Sequence, residues 1–234
     1  MSGAIDLLGM TTEEYRQLAG KIQFDRFLFT AVDGQSEEIF LLVVSKLGTA
    51  RTLRDLSGRH LIIHAGPRTH LALPWLDLQL DEAGQKSTSY FFGNIEETTK
   101  ATKAVLPVFF RKVDACLITK RSYLAVAEMN PQVSAELQII AESPPYIPLI
   151  IAFTGRTPES IRDRVVDEFC QLHNSAYGQQ GLMIFQTQCV IERPISVLAT
   201  TLAMLDAHAR RCPSASANRI AILHQPREQP KQQP

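Results

Sequence analysis

The chain has 234 residues with 24 basic and 24 acidic side chains, so its formal net charge is zero. That balance excludes the one-signed field of a nucleic-acid binder or of an acidic tail protein. A composition of 45% hydrophobic and 21% charged residues excludes bulk disorder.

The longest near-apolar runs, Tyr146 to Phe153 and Ala104 to Phe110, each carry a proline. They fall well short of the about 20 residues that a membrane span needs, so no span is expected. Residues 1–16 lack the basic start and apolar stretch of an export leader, because Asp6, Glu13 and Glu14 break the few apolar positions. As written, the chain is expected to stay in the compartment where it is made, cytoplasmic if its start is correct.

Thr11 with Glu14 three residues on forms a capping box, and Tyr15 and Leu18 supply the apolar edge of a first helix. Phe27 to Val32 and Ile39 to Val44 are rich in Phe, Val, Ile and Leu. Joined through Asp33-Gly34, they read as two strands with a turn between them. From Thr52 onward, short strands alternate with helices. Leu61 to His64 is a strand stopped by Gly66-Pro67, and Leu71, Trp75 and Leu78 then repeat with helical spacing.

Thr88 to Phe92 reads as a strand ending at Gly93, and Asn94, with Glu97 at the third position, as the cap of a following helix. Val113 to Thr119 is a strand, and Tyr123 to Glu128 a helix stopped by Asn130-Pro131. Leu137 to Ala141 and Pro148 to Phe153 are further strands. Thr157-Pro158-Glu159 starts a helix whose apolar face is Ile161, Val165, Phe169 and Leu172. Gly178 and Gly181 are expected to interrupt the chain before Pro194 opens a last helix. Residues 213–234, rich in Pro, Gln, Ser and Ala, read as a disordered tail.

The alternation predicts α/β architecture with a largely parallel sheet. Ligands in such sheets sit at the carboxyl ends of strands, against helix amino termini. The loops to inspect are therefore Gly66 to His70, Gly93-Asn94 and Thr119 to Arg121. Arg68, Thr69 and His70 open a helix after a strand, where backbone N–H groups and the dipole favour an anion. Asn94, Thr119 with Arg121, and Tyr15 are the other candidate contacts. Each has an ordinary alternative: a helix cap, a solvated strand end, a core tyrosine. Cys116, Cys170, Cys189 and Cys212 show no zinc spacing, and no metal or cofactor is expected. No motif pairing a nucleophile with a base is present, and no catalytic residue is assigned.

Three stretches, in order, resemble the phosphate/phosphite/phosphonate family of ABC-transporter solute-binding proteins. The first is Ile5-Asp6-Leu7-Leu8-Gly9 with Thr12 and Glu14-Tyr15. The second is Leu53-Arg54-Asp55-Leu56-Ser57-Gly58-Arg59 followed by Leu73-Pro74-Trp75-Leu76. The third is Ala104 to Phe110, Val113-Asp114-Ala115 and Met129-Asn130-Pro131-Gln132.

The resemblance implies a two-lobed, type II periplasmic-binding-protein fold. Lobe one would comprise residues 1–46 and 148–212, and lobe two residues 47–147. It implies a small oxyanion ligand in the interlobe cleft, an ABC permease as partner, a periplasmic location and no catalysis. Together with the strand-end reading, the candidate contacts are Thr12, Tyr15, Arg68, Thr69, His70, Asn94, Thr119 and Arg121.

Two departures stand out. Only five residues precede Asp6, so a first lobe lacking the family's initial segment is expected. Where many members carry Ser-Thr-Ser, this chain has Pro67-Arg68-Thr69. There Pro67 has no N–H to donate, and Arg68 brings a fork suited to phosphonate or carboxylate. A ligand-sensing domain of the same fold, without transport, is the alternative. An enzyme on the scaffold is a third class.

Overall fold

A computed structural model describes residues 6–155 and 157–212. The tail expected at 213–234 lies outside the described residues. In chain order the elements are β1 (Leu7–Thr11), α1 (Thr12–Leu18), β2 (Phe24–Ala31), β3 (Phe40–Ser45), β4 (His60–His64), α2 (Ala72–Glu82), α3 (Thr88–Phe91) and β5 (Asn94–Thr98). There follow α4 (Ala101–Phe109), β6 (Ala115–Thr119), α5 (Lys120–Met129), α6 (Pro131–Glu136), β7 (Leu137–Glu142) and β8 (Leu149–Thr154). The last are α7 (Glu159–Gln171), α8 (Ala176–Ile184), β9 (Cys189–Glu192) and α9 (Ala199–Arg211).

These strands form two sheets, ordered β1-β8-β2-β9 and β5-β4-β6-β3-β7. The expected α/β class holds, but the parallel arrangement is confined to β5-β4-β6. Every pairing in the first sheet is antiparallel. So are the pairings of β3 with β6 and with β7.

β2 and β3 do not form the expected hairpin. Asp33 and Gly34 do turn the chain, with φ of 52° and 74°, and Val32 and Gln35 bridge across them. The chain then runs on through Ser36 to Ile39 into the other sheet. β3 thus belongs to the second sheet, so the chain crosses between the sheets over residues 32–39 and crosses back between β7 and β8 over residues 143–148. The crossings are tied together, because Glu38 N–H donates to the Tyr146 carbonyl at 2.7 Å and Tyr146 N–H returns a bond at 2.9 Å.

β3 explains why a strand can read as an unbroken apolar run. Phe40, Leu42 and Val44 face one core with Leu61, Trp75, Leu76 and Leu80. Leu41 and Val43 face the other, with Val105, Val108 and Val133. A strand covered on both sides has no polar face to alternate with. In the first sheet, Phe29 and Ile150 pack with Leu198 on one side, while Leu28 and Phe153 pack with Val166 and Leu182 on the other.

Three local expectations are corrected. Residues 88–91 are a helical turn, fixed by the buried Asp77 carboxylate, which accepts from Thr88 N–H at 2.8 Å and from its hydroxyl at 2.7 Å. Asn94 opens β5 rather than capping a helix, and the next helix starts at Ala101. Gly178 and Gly181 lie inside α8. Glycine is needed at 178, since a Cβ there would come within 1.9 Å of the Leu172 carbonyl oxygen.

Candidate functional site

Parallel pairing puts the carboxyl ends of β4 and β6 on one side of the second sheet, and both chain crossings lie on that same side. Phe40, which enters β3, pairs with Thr119, which ends β6. Lys120 N–H donates to the Ile39 carbonyl at 2.7 Å, so the start of α5 is fastened to the first crossing. From the first sheet, Thr12 N–H donates to the Pro148 carbonyl at 2.9 Å. The buried Thr12 hydroxyl donates to the Ile147 carbonyl. The start of α1 is thus fastened to the second crossing.

Arg68 lies in the loop between β4 and α2, and is buried rather than solvated. Its Nε donates to Glu38 Oε1 at 2.6 Å. Nη1 donates to the Thr30 hydroxyl at 2.7 Å, and Nη2 to the Ser36 carbonyl at 3.0 Å. One guanidinium therefore joins the second-sheet loop to β2 of the first sheet and to the crossing itself. Arg121, in the first turn of α5, approaches the same carboxylate, with Nη2 3.8 Å from Glu38 Oε1. Its Nη1 lies 3.3 Å from Asp33 Oδ2, while its buried Nε has no hydrogen-bond partner among the described residues. Beside them, Arg193 donates to Ser36 Oγ at 2.8 Å and to Glu37 Oε1 at 2.7 Å. Burial alone would raise the Glu37 carboxyl, but the bond and charge of Arg193 together with hydrogen bonds from Ser36 and the backbone outweigh it and hold the group below its usual value.

The remaining candidates divide. The Thr69 hydroxyl turns back to the Gly66 carbonyl at 3.0 Å and accepts Gly66 N–H at 2.8 Å, so it shapes the loop. His70 Nδ1 lies 3.3 Å from the Pro67 carbonyl. Thr119 caps α5, accepting from Ser122 N–H at 3.2 Å. Tyr15 packs in the first-sheet core, its ring centroid 5.6 Å from that of Phe24 and 5.9 Å from that of Phe27. Asn94 pairs with His60, at the amino end of β4, and so sits across the sheet from the Gly66 loop.

Arg68, Arg121, Thr119 and Thr12 are therefore gathered about the crossings, whereas Asn94 and Tyr15 are not. Glu38 and Arg193 were not foreseen. Two cavities, of about 390 and 370 Å³, lie elsewhere, against Asp81, Tyr90 and Arg211 and against Glu97, Lys103 and Pro107.

Among the described residues no helix is long and apolar enough to cross a membrane, and no group of His, Cys, Asp and Glu could hold a metal ion. Residues 1–193 match the family described as "ABC transporter, phosphonate, periplasmic substrate-binding protein". No curated protein matches the chain.

Several solved structures share the fold. A Xanthomonas citri protein bound to chloride ion is 15% identical over 90% of this chain and 79% of its own, with a TM-score of 0.62. The binding-protein component of an ABC phosphonate transporter from Pseudomonas aeruginosa is 13% identical over 94% and 82%, with a TM-score of 0.52. PhnD1 from Prochlorococcus marinus, in complex with methylphosphonate, is 14% identical over 88% and 78%, with a TM-score of 0.56. The architecture is that of the type II periplasmic binding proteins.

Proposed function

The chain belongs to the phosphonate family of periplasmic substrate-binding proteins of ABC transporters, and from that premise we propose that it captures a small oxyanion of the phosphate, phosphite or phosphonate class between its two sheets and presents it to an ABC permease. The family is one of transport rather than catalysis. On this reading each sheet with its helices is one lobe, and the paired crossings at Glu38 and Tyr146 form the hinge. The protein works in the periplasm, where such a carrier meets its permease.

The observation that carries the reading is the meeting of Arg68 and Arg121 on one carboxylate oxygen beside both crossings. Arg68 comes from the loop that leads into α2 and Arg121 from the first turn of α5. There the partial positive charge of each helix start adds to that of the guanidinium. An arginine fork suits a tetrahedral oxyanion, which offers several acceptors at once. An anion held between groups from both lobes favours the closed arrangement by its differential contacts, which is how a hinge protein signals that it is loaded. The ligands of two relatives, chloride and methylphosphonate, are anions.

The test is a calorimetric titration of the protein with methylphosphonate, phosphite and phosphate. Saturable binding of one anion per chain is expected for at least one of them. No heat of binding with any of the three would reject the ligand class.

A further inference from the structure

Glu38 is a carboxylate in an unusual place. Its backbone is bonded to Tyr146 in both directions, so both crossings fix its position. Its side chain is only 5% exposed, and Oε1 accepts from Arg68 Nε at 2.6 Å with Arg121 Nη2 3.8 Å away. Asp33 takes another donor of Arg121, and Glu37 takes Arg193. Around the crossings the guanidiniums of Arg68, Arg121 and Arg193 are thus already matched by the carboxylates of Asp33, Glu37 and Glu38. An arriving anion meets an electrically neutral cluster, in which the best-buried positive group already holds an oxyanion supplied by the chain.

We propose that Glu38 is an intramolecular competitor for the ligand: its carboxylate occupies the oxyanion position on Arg68 and Arg121, and binding is an exchange in which the ligand takes over contacts that Glu38 holds. This rests on the anion-binding reading above and deepens it, because it names the residue that sets the affinity. Two like charges cannot share the two guanidiniums without repulsion, so the bound state must move or screen Glu38. The same contact links the Arg68 loop to the hinge, so exchange at Glu38 is coupled to hinge geometry. Ser36 and Thr30 keep Arg68 in place during the exchange, since their bonds use other nitrogens.

The experiment compares wild type, Glu38→Gln and Glu38→Asp by calorimetric titration with methylphosphonate and with phosphite, each variant first checked for a cooperative thermal transition. Glu38→Gln keeps an acceptor oxygen for Arg68 and removes the charge, so binding should tighten about tenfold or more. Glu38→Asp draws the charge back by one methylene and should tighten binding by less. If wild type binds and Glu38→Gln binds equally or more weakly, the competitor role is overturned while the anion-binding reading stands. If Glu38→Gln does not fold, equal or weaker binding by Glu38→Asp overturns the role in the same way. If no protein binds either anion, both readings fall. Loss of folding in both variants would make Glu38 a structural pin and overturn the competitor role.

Discussion

Replacing Asp77 by alanine tests how the last helix holds the two layers together. Just before α9, Leu198 packs in the first-sheet core with Phe29 and Ile150. The later residues Met204 and Leu205 pack in the second-sheet core with Trp75 and Leu76. α9 therefore spans both layers, and His208 near its end meets Asp77 of α2 at 3.1 Å. Both side chains are buried, and Asp77 also receives Thr88 N–H and its hydroxyl.

In Asp77→Ala the two Thr88 donors and His208 lose this acceptor. A buried donor left unmatched costs about 1–3 kcal/mol. At about 2–4 °C per kcal/mol for a chain of this size, the melting temperature should fall by roughly 2–12 °C.

The pH dependence carries a sign. Burial alone would raise the Asp77 carboxyl, but the bonds from His208 and Thr88 outweigh it and hold its pKa below the usual carboxylate value. A depressed folded pKa means the contribution is complete above the unfolded value, about 3.9, and is lost as pH falls through the folded one. The gap between wild type and Asp77→Ala should narrow as pH falls below about 4. Scanning calorimetry at pH 7 and across pH 3–5 measures both effects. A drop under 2 °C at pH 7, or a gap that widens in acid, would refute the reasoning.

Two further outcomes follow from packing. A Cβ at Gly93 would stand 2.3 Å from the backbone oxygen of Gly58, so Gly93→Ala should cost about 1–3 kcal/mol in a urea melt; an unchanged midpoint would mean that the Gly58 turn yields freely. Burial pushes the Cys116 thiol up to about 12, so at pH 8 a disulfide reagent should leave it unmodified in the folded protein and label it once urea unfolds the chain; peptide mass spectrometry showing it labelled as fast as the half-buried Cys189 would contradict this.

Much of the fold was legible because its signals are local. The Thr11–Glu14 capping box is present as expected, with both reciprocal bonds. β3, β6 and β8 are apolar runs that announce themselves by length and composition. What failed was pairing and polar edge structure. β2 and β3 look like a hairpin, yet their partners are β8, β9, β6 and β7, all remote in sequence. β5 reads Asn-Ile-Glu-Glu-Thr, too polar for a strand signal, because it is an edge that buries little.

The site divides in the same way. Arg68, Thr119 and Arg121 could be placed together from the sequence because the carboxyl ends of parallel strands share one side of an α/β sheet. Glu38 stands 30 residues from Arg68 in a segment that looks like a plain connection. Nothing local marks it as buried, since its burial comes from both crossings and the Arg68 loop meeting. The bonds of Arg68 to Thr30 and Ser36 are equally long-range. Tyr15 shows the reverse limit: its motif position is legible in the sequence, but the packing of its ring beside Phe24 and Phe27 is not.

The most direct test of anion capture at the crossings is a phosphorus NMR titration of methylphosphonate with wild type and Arg121→Ala. Arg121 is the better probe than Arg68, because its guanidinium is the less buried and is not bonded to the first sheet. With wild type, a bound resonance should grow until one equivalent is reached. In Arg121→Ala the loss of a charge-assisted bond, about 1.5–3 kcal/mol, should weaken binding roughly ten- to hundredfold. A bound resonance that saturates identically in both proteins would move the site away from these residues. A free resonance unchanged by wild type at millimolar protein would contradict the claim that this chain carries a phosphonate-class anion.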